Sequence, residues 1–179
     1  MKKVLITGAG SYIGTSFEHY LTEHYPGMYD VCTVDMRSDG WRNMAFRGYD
    51  VVFHVAGIAH IKETDENAEL YYKVNRDLTV ECAKKALSEQ VPHFVFLSSM
   101  SVYGMNSGRI IKETEPSPTT NYGKSKLEAE NDLNILANQF PNTFTVAILR
   151  PPMIYGKGCK GNYNALKKIA LSVPLFPDI

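Results

Sequence analysis

The chain carries no excess of charge of either sign: 19 Lys and Arg balance 19 Asp and Glu over 179 residues. It therefore lacks the one-signed field that draws proteins to nucleic acid or to an anionic membrane surface. Nowhere do eighteen apolar residues run together, which excludes an ordinary membrane-spanning helix. Cysteine is scarce, and Cys32, Cys82 and Cys159 are odd in number, widely spaced and outside any metal-ligand pattern. That usage fits packing in a reducing compartment rather than a disulfide framework. A metal site is not expected either, because His54 and His60 bracket Val55–Ala59 without a carboxylate or cysteine to complete a ligand set. Met1-Lys2-Lys3 leads directly into Val4-Leu5-Ile6, and a soluble, cytoplasmic protein is the expectation. With 44% hydrophobic residues, the chain has enough apolar material for one core, and small-molecule chemistry is the favoured class.

Apolar runs alternate with segments of helical period. Lys3–Thr7, Val31–Asp35, Val51–Ala56, Phe94–Ser98 and Thr145–Leu149 read as buried strands, and Tyr12–His24, Ala68–Ser88 and Tyr122–Gln139 as crossover helices. This alternation predicts an α/β fold with a doubly wound parallel sheet. Arg37–Tyr49 breaks the pattern: with Gly40, Trp41 and Gly48 and few periodic apolar positions, it predicts a shortened helix or a loop. After the last strand come a glycine-rich turn from Gly156, a helical stretch from Tyr163 to about Ser172, and Leu175 and Phe176 between prolines. The expected organisation is a Rossmann domain over residues 1–155 and the start of a truncated substrate-binding lobe over 156–179.

Four features carry chemistry. Gly8-Ala9-Gly10-Ser11-Tyr12-Ile13-Gly14 follows a strand and opens a helix, where a tight turn lets a pyrophosphate approach free N–H groups and the positive helix end. Asp35, at the end of the second strand, suits an adenosine ribose and disfavours a 2′-phosphate, so NAD is favoured. Arg37, two residues on, keeps NADP open as the less favoured cofactor. Ser98 and Ser99 end the fourth strand, on the edge where open α/β sheets carry ligands. Tyr122 and Lys126 lie one turn apart on one helix face. An ammonium beside a phenol favours the phenolate, and the expectation is a Tyr122 of lowered pKa able to take a proton from an alcohol while Ser99 steadies the oxygen. Gly57 permits close approach of backbone to the cofactor. Asn75, in an otherwise apolar helix, is either a solvated side chain or a buried strut to backbone near the site, and the strut is favoured.

The ordered set Thr7–Gly14, Asp50–Gly57, Asn75, Leu97–Gly104, Tyr122-Gly123-Lys124-Ser125-Lys126 and Leu149–Gly156 resembles the extended short-chain dehydrogenase/reductase family. Within it the likeness is to the NAD-dependent epimerases and dehydratases, nearest to UDP-sugar 4-epimerases. The resemblance implies a catalytic triad of Ser99, Tyr122 and Lys126. It also implies an NAD(P) contact surface of Gly8, Gly10, Ser11, Tyr12, Ile13, Gly14, Asp35, Met36, Arg37, Val55, Ala56, Gly57, Asn75, Leu97, Ser98, Tyr122, Lys126 and Pro152. Ser99, Ser101, Tyr122 and Asn162 are the implied substrate contacts. Two departures stand out: Ser11 occupies the family's usual middle-glycine position, and Arg42–Phe46 offers no acid for adenine. Related 4,6-dehydratases carry Asp-Glu after the catalytic hydroxyl residue, whereas this chain has Met100-Ser101, which cannot eliminate water. The implied activity is sugar-nucleotide epimerisation by transient oxidation at C4. A 4-keto-sugar reductase or sugar-nucleotide dehydrogenase is the alternative, and a cofactor-binding domain without turnover is another. A nucleotide-sugar substrate and a homodimer through Ala68–Ser88 and Tyr122–Gln139 complete the implication.

Overall fold

The computed structural model describes residues 1–59, 61–159 and 168–172. Strands β1 (Lys2–Thr7), β2 (Tyr29–Val34), β3 (Val51–His54), β4 (His93–Leu97) and β5 (Thr145–Leu149) form one sheet in the order β2-β1-β3-β4-β5. Every pairing is parallel. The order reverses between β1 and β3, whose ends Thr7 and His54 are in register. The loops that leave these strands therefore open a crevice at one edge of the sheet, where such folds bind ligands. Met100 N–H donates to the Pro151 carbonyl at 3.1 Å, which continues the β4–β5 pairing and brings Pro151 beside Ser99.

The five predicted strands and the helices predicted between Tyr12 and Gln139 are present, and several end differently; the first half of the helical stretch predicted from Tyr163 lies outside the described residues. Asp35, Val55, Ala56 and Ser98 fall just beyond their strands, so they line the sheet edge instead of extending the ladder. Helix α1 (Tyr12–His24) matches its predicted span, and α5 (Asn121–Gln139) begins one residue early. The predicted gap over Arg37–Tyr49 holds only a four-residue helix, α2 (Gly40–Asn43), and buried Trp41 and Phe46 fill the space a longer helix would cover. Two readings are corrected. Strand β5 is only half buried, because Val146 and Ile148 pack on the core while Thr145, Ala147 and Leu149 on its other face are exposed. The helix predicted over Ala68–Ser88 is α3 (Ala68–Tyr71) and α4 (Leu78–Ser88) joined by a π turn, Tyr72–Asp77.

The two layers of helices follow from the alternating faces of the strands. Leu5, Val52, Phe94 and Phe96 face one way and pack with Cys82, Ala83 and Ala86 of α4 and Ala129, Leu133 and Leu136 of α5. Val4, Ile6 and Phe53 face the other way, against Ile13 and Phe17 of α1. Among the described residues, no helix is long and apolar enough to cross a membrane.

A buried polar chain explains the π turn. Thr79 Oγ1 donates to the Asn75 carbonyl at 2.8 Å, so its one proton is used and it accepts from His54 Nε2 at 3.0 Å. His54 Nδ1 is then an acceptor, and the Thr7 hydroxyl donates to it at 2.8 Å. Burial holds His54 down to a pKa of about 3, with the Lys126 charge acting the same way, so the ring is neutral in the fold. The amide of Asn75, fully buried, accepts from Ile58 N–H at 2.9 Å and donates to Ile58 C=O at 3.0 Å and to Ser125 Oγ at 3.3 Å. A widened turn lets one side chain serve the loop after β3 and α5 together, a common use of π segments. Thr79→Val removes a donor and an acceptor from this chain at constant volume, and urea denaturation should show a loss of about 1–3 kcal/mol; unchanged stability would contradict this account of the turn.

Candidate active site

A cavity of about 950 Å³ opens at the sheet edge, lined among others by Gly10–Ile13, Val55, Gly57, Leu97–Ser99, Ser101, Tyr122, Lys126 and Pro152. It gathers the glycine turn, the serine pair and the Tyr-Lys pair from three separate stretches of sequence. Gly8, Gly14, Asp35, Met36, Arg37, Ala56 and Asn75 do not line it. Gly14 is buried against Ile6, and a Cβ on Gly8 would come within 3.1 Å of the Ala56 backbone, so these two serve packing between elements. Gly10 is the member of the motif that faces open space: its φ is +73° and a Cβ there would meet nothing within 4 Å. The side chain of Met36, an expected cofactor contact, lies in the main core at 8% exposure. Asn162 lies outside the described residues.

Ser11 is the N-cap of α1 and accepts from Gly14 N–H at 3.2 Å. That explains serine where the family usually has glycine: the side chain caps the helix, and the N–H groups of Tyr12 and Ile13, which have no intrahelical acceptor, remain for an anion. Asp35 is held by Arg37, whose backbone N–H and guanidinium donate to it at 2.7–3.0 Å. Those bonds draw the Asp35 carboxyl down to about 2. Both side chains are open to water, at 42% and 84% exposure, so the pair is screened and separable.

Lys126 is 4% exposed. Its Nζ donates to the Leu97 carbonyl at 2.9 Å and lies 4.6 Å from the centre of the Phe96 ring. Burial lowers its pKa to about 8, against an opposing pull from Glu130. A Cβ on Gly57 would come 2.9 Å from Asn75 Oδ1 and 3.3 Å from this Nζ, so glycine is required by the strut and the ammonium together. Tyr122 corrects the expected direction: burial raises its pKa, and a hydrogen bond with Ser99 offsets the rise only in part. The reason is geometric, since the Lys126 ammonium is bonded to the end of β4 and desolvation of the phenol dominates. Ser99 Oγ caps the short helix Met100–Tyr103, accepting from Ser101 N–H at 3.2 Å.

Three supporting groups were not found in the sequence. Glu130, 1% exposed, accepts from Ser98 Oγ and from Arg150 Nε at 3.1 Å, while Arg150 Nη1 donates to Tyr103 Oη at 2.7 Å. These bonds tie α5 to the ends of β4 and β5. Glu130 lies four residues after Lys126 on the same face, a signal available in the spacing. Glu63, which accepts the N–H groups of Asn121 and Tyr122, gave no such signal.

A parallel switch-point fold with a capped glycine turn and a Ser, Tyr and Lys converging beside it defines a dinucleotide-binding protein of the short-chain dehydrogenase type. The chain belongs to the NAD dependent epimerase/dehydratase family, which it matches over residues 4–173. Among curated relatives, it is 30% identical to UDP-glucose 4-epimerase of Vibrio cholerae, over 97% of this chain and 58% of that protein. It is also 30% identical to the N-acetyl-alpha-D-glucosaminyl-diphospho-ditrans,octacis-undecaprenol 4-epimerase of Escherichia coli O157:H7, over 93% of this chain and 54% of that protein. The chain thus spans somewhat more than half the length of each. The solved structure of MoeE5 in complex with UDP-glucose and NAD superposes with a TM-score of 0.77 at 25% identity, covering 88% of this chain and 56% of that one. UDP-glucuronic acid 4-epimerase from Bacillus cereus, in complex with NAD, shares the fold with a TM-score of 0.74 at 23% identity, over 86% and 58%.

The buried ammonium has a measurable signature. Lys126 titrates near pH 8 in the fold and near 10.5 in an unperturbed chain, so between these values the unfolded state binds more protons and stability rises with pH. Chemical denaturation from pH 8 to 10.5 should show the protein gaining roughly 3 kcal/mol relative to its Lys126→Met variant. Parallel stability curves for the two proteins would contradict the burial of a titrating amine.

Proposed function

We propose that the protein is an NAD-dependent sugar-nucleotide 4-epimerase of the UDP-glucose 4-epimerase kind, with residues 1–155 as the cofactor-holding domain. The observation that carries this reading is the meeting of Gly10–Ile13 with Ser99, Tyr122 and Lys126 on one cavity. The relatives named as UDP-glucose 4-epimerases and the similar structure holding UDP-glucose and NAD support it.

The residues fit the cofactor. The open side of Gly10 and the free N–H groups at the start of α1 suit a pyrophosphate, and Asp35 at the end of β2 suits a ribose diol. When bound, NAD supplies the acceptor that takes the C4 hydride and returns it to the other face of the sugar. The chain's own groups manage the proton. Tyr122 takes it from the C4 hydroxyl and later gives it back, within reach of Ser99, which holds the same oxygen. Lys126, charged at neutral pH with a pKa of about 8, spends one N–H on Leu97 and has two more for ribose hydroxyls. The Ser99 hydroxyl offsets part of the desolvation that opposes the phenolate. Ser101 contacts substrate beside Ser99, and Met100 carries no acid or base for dehydration. A homodimer through α3–α4 and α5 belongs to the same proposal, supported by Leu70 and Ile135, which are apolar and exposed on those helices.

Tyr122→Phe in the intact protein should lower kcat for UDP-sugar epimerisation by roughly 10²–10⁴-fold with NAD still bound. Turnover within a few-fold of the parent would refute the role of the phenol. Net loss of NAD(P)H absorbance in proportion to product would point instead to a one-way reductase. Arg37→Ala leaves Asp35 without its counter-ion, and binding measurements should show the preference for NAD over NADP sharpened; an unchanged ratio would remove Arg37 from cofactor choice.

A further inference from the structure

The first N–H groups of a helix have no partners within it. In α5, Thr120 Oγ1 accepts from Gly123 N–H at 3.1 Å, the ordinary local cap. The two N–H groups ahead of it, those of Asn121 and Tyr122, both donate to the carboxylate of Glu63, one to each oxygen, at 3.0 Å. This acceptor comes from 58 residues earlier in the chain, on the segment that leaves β3.

That segment is itself fixed at several points. Asn75 holds both the N–H and the carbonyl of Ile58. The hydroxyl of Tyr71 donates to the Ile61 carbonyl at 2.6 Å. The Asn67 amide accepts from Thr64 N–H and donates to the Lys62 carbonyl, both at 2.9 Å. Tyr71, 1% exposed, also sets its ring edge to face against Tyr122, with centroids 6.4 Å apart and planes at 63°. Tyr122 is therefore held at its backbone by Glu63 and at its ring by Tyr71. The same segment begins with Gly57, Ile58 and Ala59, which line the cavity.

Starting a helix needs only the local threonine. A carboxylate brought from the cavity wall adds something else: it joins the first turn of α5 to that wall, and it places a negative charge at the positive helix end. We infer that Glu63 is a positioning residue that locks Tyr122 to the wall of the cavity, so that the phenol and the wall beside the cofactor move as one body. This rests on the reading of Tyr122 as the proton-transfer group.

The test uses the intact protein and the variants Glu63→Ala, Glu63→Gln and Tyr122→Phe, with steady-state kinetics on a UDP-sugar, NAD binding, and hydrogen exchange of the backbone amides. In Glu63→Ala the Asn121 and Tyr122 amides should exchange at least about tenfold faster while the Leu133 amide is unchanged. kcat should fall about tenfold or more, with KM and the NAD Kd within about threefold. Glu63→Gln keeps one acceptor oxygen and should recover part of both effects. Unchanged exchange in Glu63→Ala, or unchanged kcat with the two amides freed, overturns the inference. So does a parallel loss of kcat, NAD affinity and Leu133 protection, which marks Glu63 as merely structural. Should Tyr122→Phe remain fully active, the proposed function fails, and the exchange data still report whether Glu63 holds α5.

Discussion

An ammonium taken out of water sets the terms for this molecule. Lys126 sits at the edge of the sheet with its charge bonded to the Leu97 carbonyl and set over the Phe96 ring. Such a group is tolerated only where the surrounding polar atoms are satisfied. Asn75, next to the ammonium at Gly57, and Glu130, whose charge acts on it, are each fixed by further hydrogen bonds, to Ile58 and Ser125 and to Ser98 and Arg150. The result is a helix, α5, whose inward face is polar in its first half and apolar in its second, with Leu133 and Leu136 on the core. The second half of the helix packs on the core; the first half faces the cavity.

Two buried polar systems divide the work. On one side, Thr7, His54 and Thr79 run from β1 through β3 to the π turn, and through Asn75 they fix both the loop after β3 and α5. On the other, Ser98, Glu130, Arg150 and Tyr103 fix α5 to the ends of β4 and β5. The cavity is lined by the loop after β3, the end of β4 and the start of α5, which these two systems hold, and by the turn that opens α1. Preorganisation of this kind is what proton transfer at a fixed distance requires.

Much of this was legible in the sequence. Strand and helix periods gave all five strands and the parallel order class, because buried strands of parallel sheets read as apolar runs. The glycine turn, the serine pair and the Tyr-Lys spacing pointed to residues that the fold brings to one cavity. What escaped was tertiary. The π turn has no signal in helical periodicity, since it depends on Asn75 reaching Ile58. β5 read as buried because Ala147 and Leu149 are apolar, yet a strand at the sheet edge covers one face only. The phenol's upward shift escaped because spacing reports which charges are near, and desolvation is a property of the assembled fold. Glu63 escaped because a cap from a distant loop leaves no local pattern.

The central claim is that Tyr122 and Lys126 serve a dinucleotide held on the turn around Gly10. A crystal structure of the protein with NAD and a UDP-sugar tests it most directly. The account predicts the pyrophosphate on the N–H groups that open α1, and the nicotinamide ring in the cavity with Lys126 at its ribose and Tyr122 at the sugar hydroxyl. A nicotinamide bound elsewhere, or a sugar oxygen out of reach of the phenol, would contradict it.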